Sequence, residues 1–114
     1  MRRQCVALLA MLLAGCEGRG ALVSVTNQSG QPLEQIVVTG RGFADTIPRL
    51  APGQAGRVLV HPRGESGVAL TFSAPGGHIA IPQQGYLEDC CGYNVRLTVN
   101  QALKVDFDYS LERR

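Results

Sequence analysis

The fold is decided by residues 93–112, YNVRLTVNQALKVDFDYSLE, in which apolar and polar side chains alternate in two consecutive runs. In the first run the odd-numbered residues from Tyr93 to Val99 are apolar, and in the second run those from Leu103 to Leu111 are. Alternation with a period of two over such lengths predicts β-strands with one buried and one solvated face. We therefore expect the two runs to pair as antiparallel strands.

The link between these two strands is expected to contain an odd number of residues. Directly opposed residues of an antiparallel pair share one face of the sheet, and a shift by one residue would turn one strand inside out. The link is therefore predicted to be either Asn100–Ala102 or Asn100–Lys104. The shorter link sets Arg96 opposite Asp106, and the longer link sets Arg96 opposite Asp108.

The rest of the chain after residue 20 repeats this pattern in shorter segments separated by turn residues, such as Pro52-Gly53, which fits the centre of a type II turn. No segment beyond the N-terminal run shows the 3.6-residue stripe of a helix. About seven strands predict an all-β fold, a small antiparallel β-sandwich of immunoglobulin-like architecture, with a small β-barrel as the alternative. Besides the two runs above, strands are expected at residues 21–27, 33–39, 43–47, 57–61, 68–73 and 79–81.

The first residues contain the three parts of a secretory signal. Arg2 and Arg3 supply the positive charge, an apolar run extends from Cys5 to Gly15, and small residues precede Cys16. The apolar run is shorter than the roughly 20 residues that a helix needs to cross a bilayer. We therefore expect a signal helix that is cleaved off.

The tetrapeptide Leu13-Ala14-Gly15-Cys16 resembles the lipobox of bacterial lipoproteins. The resemblance covers residues 1–16. It implies cleavage before Cys16, a diacylglyceryl group on the thiol of this residue, and a third acyl chain, such as palmitate, on its amine. Several chains are needed because one acyl chain alone binds a membrane only marginally. Glu17 follows where aspartate would favour the inner membrane, so the resemblance implies the outer membrane facing the periplasm.

These expectations divide the chain into a signal peptide (1–15), a short tether (16–20) and a β-sandwich domain (21–114). Loss of Arg2 and Arg3 leaves nine basic and nine acidic side chains in the mature protein. This balance argues against nucleic acid, which needs a basic face, and against electrostatic binding of lipids. The expected membrane contact is therefore the anchor, in the bacterial cell envelope.

Cysteines mark the unusual segment Asp89-Cys90-Cys91-Gly92. Cys5 leaves with the signal peptide and Cys16 is acylated, so Cys90 and Cys91 are the thiols that remain. Adjacent Cα atoms are about 3.8 Å apart, whereas ordinary disulfides prefer roughly 4.4–6.8 Å, so a bridge between neighbours is strained. Three interpretations stay open: a vicinal disulfide, a thiol offered to another chain, and incidental turn residues.

Metal binding and catalysis are not favoured. His61, His78, Cys90 and Cys91 are ligand types that suit zinc or copper, but adjacent cysteines lack the spacing of zinc motifs. Ser66 lies in a polar turn and lacks the GxSxG spacing of a hydrolase elbow. We therefore expect no metal, no other cofactor and no enzymatic activity.

The sequence thus predicts a lipid-anchored cell-envelope protein whose non-catalytic β-sandwich is a binding or accessory module for an envelope partner, either a protein or another envelope component. The alternative is a periplasmic metal-binding or thiol-redox protein that uses Cys90, Cys91 and a histidine.

Overall fold

A computed structural model describes residues 18–111, which form eight β-strands. The expected signal helix, Cys16 and the last three residues lie outside the described residues. No helix in the described range is long and apolar enough to cross a bilayer. The strands are β1 (Ala21–Asn27), β2 (Leu33–Gly40), β3 (Phe43–Leu50), β4 (Ala55–Val60), β5 (Ser66–Ala74), β6 (Gly77–Leu87), β7 (Tyr93–Val99) and β8 (Val105–Leu111).

The eight strands between residues 18 and 111 form two four-stranded sheets that pack as a β-sandwich. Sheet A has the strand order β4-β1-β7-β8, and sheet B has the order β3-β2-β5-β6. Neighbouring strands are antiparallel except β1 and β7, which run parallel. The β-sandwich predicted from the sequence is confirmed, and each of its eight strands overlaps one of the segments expected to be a strand.

An apolar core lies between the two sheets. In sheet A, β1 and β7 place Val23 beside Val95 and Val25 beside Leu97, all of them buried. In sheet B, Phe72 of β5 is the largest fully buried side chain. Burial of each such side chain contributes roughly 1.5–3 kcal/mol relative to exposure. The apolar side chains of the alternating pattern therefore hold the two sheets together.

A bulge interrupts the alternation in β2. Gln35 has a φ of +49°, and the register against β5 shifts between Glu34 and Val37. The bulge allows Leu33 and Ile36, which are three residues apart, both to point into the core. A strict period of two would have sent one of them to solvent.

A similar break occurs in β3, which continues beyond the predicted 43–47. Ile47 and Leu50 are both buried although three residues separate them. Pro48 lies between them, and its lack of an amide hydrogen is tolerated because β3 is an edge strand. The length predicted for this strand was therefore too short, because the proline and the change of period both argue against a strand beyond residue 47.

The turn between β3 and β4 has the geometry expected of Pro52-Gly53. The amide of Gln54 donates a hydrogen bond of 2.9 Å to the carbonyl of Ala51, and Gly53 has a φ of +83°. Position i+2 of a type II turn requires this positive φ, which glycine adopts without steric cost.

The link between β7 and β8 spans residues 100–104, the longer of the two predicted lengths. Arg96 lies opposite Asp108 and donates a hydrogen bond of 2.5 Å to its Oδ2. This bond, together with the positive charge, lowers the pKa of Asp108. Within the loop, Asn100 Oδ1 accepts hydrogen bonds from two backbone amides, at 2.9 and 3.1 Å, and Leu103 has a φ of +59°.

Strand β8 is less buried than its alternation predicted. Val105 and Phe107 are half-buried, whereas Tyr109 and Leu111 are exposed at 45% and 56%. The reason is position: β8 is the edge of sheet A, and sheet B ends at β6, so the inner face of β8 lies over the margin of the core. There the ring of Phe107 packs on the backbone of Gly85.

Asn27, at the end of β1, is a fully buried polar side chain. Its Nδ2 donates to the carbonyls of Gln31 and Leu50, at 2.7 and 2.9 Å. Its Oδ1 accepts from the amide of Ser29 at 3.0 Å and from the hydroxyl of the same residue at 2.6 Å. All hydrogen-bonding capacity of the amide is thus used, as burial requires, and the β1–β2 connection is fixed to the end of β3.

Candidate functional site

The residues of functional interest lie mainly at one end of the sandwich. Ala21, the first residue of β1, is paired with Val60 at the end of β4 and with Tyr93 at the start of β7. The links from β4 to β5 and from β6 to β7 pass from one sheet to the other at this end. We call it the proximal end; it comprises residues 18–20, 41–42, 61–65 and 88–92 with the adjoining strand ends, and the opposite end is the distal end.

The described part of the tether, Gly18–Gly20, is bound to the domain. The amides of Arg19 and Gly20 both donate to the carbonyl of Asp89, at 2.9 and 3.0 Å. Gly18 has a φ of +78°, and a Cβ at this position would overlap the backbone of Asp89. Glycine is therefore needed for the close approach, and the chain is fastened to the sandwich before β1 begins.

Asp89 also pairs through its side chain with His61. The distance from His61 Nδ1 to Asp89 Oδ1 is 2.8 Å, and the two side chains are 51% and 26% exposed. Asp89 thus holds two segments together: its carbonyl binds the tether, and its carboxylate binds His61 in the β4–β5 link. Sequence reasoning missed this pair because 28 residues separate its members and neither belongs to a recognisable motif.

Cys90 and Cys91 form a disulfide with a Cα–Cα distance of 3.7 Å, and both residues are exposed. The structure therefore contains the first of the three arrangements considered from the sequence, the vicinal disulfide. Gly92 follows, buried and with a φ of +70°, and leads the chain into β7. The disulfide sits on the surface of the proximal end, directly after the residue that holds the tether.

The candidate metal ligands are not brought together. His78 is the second residue of β6, so at about 3.3 Å per residue it lies roughly 30 Å along the strand from the proximal end. Its Nδ1 lies 3.4 Å from the hydroxyl of Ser73. In the part of the chain that the structure describes, no three His, Cys, Asp or Glu residues are grouped so that they could hold a metal ion. His61 is joined to Asp89, the residue before Cys90, whereas His78 lies far along β6.

Ser66 fixes the start of β5 through hydrogen bonds to the backbone. Its hydroxyl accepts from the amide of Arg41 at 2.9 Å and donates to the carbonyl of Gly67 at 2.7 Å. Both partners are backbone groups, and the two bonds hold the start of β5 against the β2–β3 link.

Aromatic rings from three strands meet near the proximal end. The ring centroids of Tyr86 and Tyr93 are 6.3 Å apart with planes at 72°, those of Tyr93 and Tyr109 are also 6.3 Å apart, and those of Phe107 and Tyr109 are 5.4 Å apart. These separations are typical of stabilising aromatic pairs. The sequence did not predict the group, because its members come from β6, β7 and β8.

Two of these tyrosines resist ionisation. Partial desolvation, followed by a 3.1 Å hydrogen bond to Glu65 and the charges of Glu65 and Glu88, raises the pKa of Tyr86 to about 12. Desolvation, followed by the effects of Glu88 and Tyr109, also raises the pKa of Tyr93. The proximal end thus places the exposed Tyr86 beside carboxylates that add to the effect of desolvation in disfavouring its ionisation.

No protein-family model matches the chain, and none of the curated proteins matches it. Among solved structures, it is similar to a protein from Eubacterium rectale determined by NMR. The TM-score is 0.57 and the sequence identity 15%, over 79% of this chain and 87% of that one. At this identity the likeness concerns the fold alone.

Proposed function

We propose that the protein is a lipid-anchored module of the bacterial cell envelope whose β-sandwich binds or assists an envelope partner without catalysis. The lipobox-like residues 13–16 motivate the anchor. The observation that carries the proposal is the pair of hydrogen bonds from Arg19 and Gly20 to Asp89, because they fasten the domain to the chain three and four residues after Cys16.

This attachment sets the distance between the domain and the membrane. Cys16 precedes Gly18 by two residues, and each residue spans at most about 3.6 Å. An anchor on Cys16 therefore lies within roughly 7 Å of the proximal end, and the protein has no room to reach across the periplasm. In this arrangement the distal end points away from the bilayer, and it is accessible to a partner together with the outer faces of the sheets. The outer membrane, facing the periplasm, is the proposed location.

Incorporation of a labelled fatty acid tests the anchor. The wild-type protein and a Cys90→Ser/Cys91→Ser control are expected to take up the label and to fractionate with membranes. Cys16→Ala is expected to lose the label and to accumulate as uncleaved or mislocalised precursor. If Cys16→Ala is still processed and membrane-bound, the proposal is wrong.

Photocross-linking in the native envelope tests the binding role. A cross-linking residue at the exposed distal position Gln101 is expected to yield a defined adduct that mass spectrometry identifies, and the adduct is expected to disappear with Cys16→Ala. Adducts that are equally abundant for the unanchored protein would contradict a role that depends on position at the membrane.

A thiol-redox role is the second candidate, favoured by the exposed disulfide beside the His61–Asp89 pair. In this role a partner dithiol would reduce the Cys90–Cys91 disulfide to two thiols and become a disulfide itself. Thiol titration of protein isolated without reductant, with metal analysis of the same sample, tests it. Cys90→Ser/Cys91→Ser would abolish function in a redox protein, whereas the Gln101 adduct should persist in a binding module.

A further inference from the structure

The exposed large hydrophobic side chains of residues 18–111 all lie at the proximal end. Each is among the last three residues of a strand that ends there. At about 3.3 Å per residue, each lies within roughly 7 Å of that end along its strand. We call these four residues the apolar rim: Leu59, Tyr86, Tyr109 and Leu111, which are 55%, 38%, 45% and 56% exposed.

The apolar rim lies on both sides of the point where the chain enters. Leu59 is on β4, an edge strand of sheet A, and lies next to Gly20 of the tether. Tyr86 is on β6, an edge strand of sheet B, and Tyr109 and Leu111 are on β8, the other edge strand of sheet A. The rim residues thus lie on opposite edges of the sandwich, with the tether between them. This is the arrangement expected if the strand ends at the proximal end rest on a flat surface.

We propose that the apolar rim is a membrane-contact surface that lies in the headgroup region of the bilayer holding the anchor. This inference rests on the lipid anchoring proposed above, since an anchor on Cys16 would bring this end of the domain to the lipid. Tyrosine is enriched at membrane interfaces because one end of its side chain is apolar and the other polar. Scattered exposed leucines are ordinary, but their confinement to the end that follows Cys16 is not.

The charges of the proximal end fit a mixed headgroup layer. Exposed Arg19, Arg41 and Arg63 can meet phosphates, whereas Glu65 and Glu88 lie beside Tyr86 on one side of the end. No polybasic cluster of the kind that binds anionic lipids is present among residues 18–111. The contact is therefore expected with zwitterionic phosphatidylcholine as well as with anionic lipid.

The absence of tryptophan from the chain permits a direct test. Leu59→Trp and Leu111→Trp each place one fluorophore in the rim at an exposed position, where folding tolerates it. Gln101→Trp places one in the exposed distal loop as the control. The full lipidated proteins are reconstituted into phosphatidylcholine vesicles that carry a nitroxide near the headgroup. Circular dichroism verifies that each variant is folded.

Both rim variants are expected to lose fluorescence to the nitroxide and to shift their emission to the blue, while Gln101→Trp does neither. Interfacial segments typically insert about 5–10 Å into this region, within reach of the quencher. Vesicle flotation with unquenched rim tryptophans would leave the anchor in place and overturn the membrane contact. Failure of the wild-type protein to float would overturn the proposed anchoring itself, and the membrane contact with it.

Discussion

The ring of Phe107 in β8 lies on the backbone of Gly85 in β6, and this contact closes one side of the sandwich. Gly85 has a φ of +72°, and a Cβ built on it would overlap the ring. The glycine therefore serves two purposes: it permits the backbone angle and it leaves space for the aromatic side chain.

The contact predicts a non-additive effect of substitution. Gly53→Ala, with a φ of +83° and open space around it, should cost about 1–2 kcal/mol from backbone strain alone. Gly85→Ala should cost more, since it also displaces the ring. Phe107→Ala should cost less than the roughly 3–5 kcal/mol of a fully buried phenylalanine. When Phe107 is already alanine, Gly85→Ala should lower the free energy of unfolding only as much as Gly53→Ala does.

Urea unfolding of the three single variants and of the double variant Gly85→Ala/Phe107→Ala measures these costs. Equal destabilisation by Gly53→Ala and Gly85→Ala would show that the ring does not occupy this space.

The buried amide of Asn27 predicts a sharp difference between two Asn-to-Asp substitutions. Asn27→Asp keeps the shape but loses the donor, which leaves the carbonyls of Gln31 and Leu50 without this partner. Loss of these two hydrogen bonds, together with the added buried carboxylate, should lower the free energy of unfolding by more than about 3 kcal/mol. Asn100→Asp is the control, because the half-buried Asn100 accepts both of these hydrogen bonds through Oδ1, which a carboxylate oxygen replaces. Thermal unfolding that ranks the two substitutions equally would contradict the buried network.

The raised pKa of Tyr86 predicts a loss of stability in alkali. An unfolded tyrosine ionises near pH 10, and the pKa in the folded protein is about 12. Between these values the folded state holds the proton that the unfolded state has lost, so the stabilisation present below pH 10 disappears as the pH rises towards 12.

Titration by tyrosinate absorbance measures this shift. Glu65→Gln removes the charge beside the hydroxyl and should lower the highest of the tyrosine pKa values. Glu34→Gln, on the exposed face of β2, should leave it unchanged. An unaltered titration curve for Glu65→Gln would show that Glu65 does not act on Tyr86.

The alternating strands were predictable because burial of one face imposes a period of two. The strand at residues 93–99 was therefore predicted correctly. The requirement that opposed residues share a face limited the link between β7 and β8 to two lengths. This requirement could not decide between three and five residues. In the five-residue link, the side chain of Asn100 accepts hydrogen bonds from amides of the same loop. The bulge at Gln35 escaped prediction, because a bulge depends on which strand lies beside it.

The site was less predictable for the same reason. The exposure of Tyr109 and Leu111 depends on where sheet B ends, and the bond between His61 and Asp89 depends on two links that meet only in three dimensions. Cys90 and Cys91 were identified because adjacency in sequence is itself a geometric constraint.

The exposed disulfide predicts that its removal leaves the fold intact. Cys90→Ser/Cys91→Ser deletes little buried area, since both residues are at the surface. The midpoint of thermal unfolding should therefore change little, and far less than for Asn27→Asp. A large drop would show that the bridge is required to hold the β6–β7 link, and with it Asp89 and the tether.

Mass spectrometry of the N-terminal peptide of the mature protein, isolated from membranes, tests the central claim most directly. The account predicts that the chain begins at Cys16, with a diacylglyceryl group on the thiol and an acyl chain on the amine. A mature chain that begins at another residue, or at an unmodified Cys16, would contradict it.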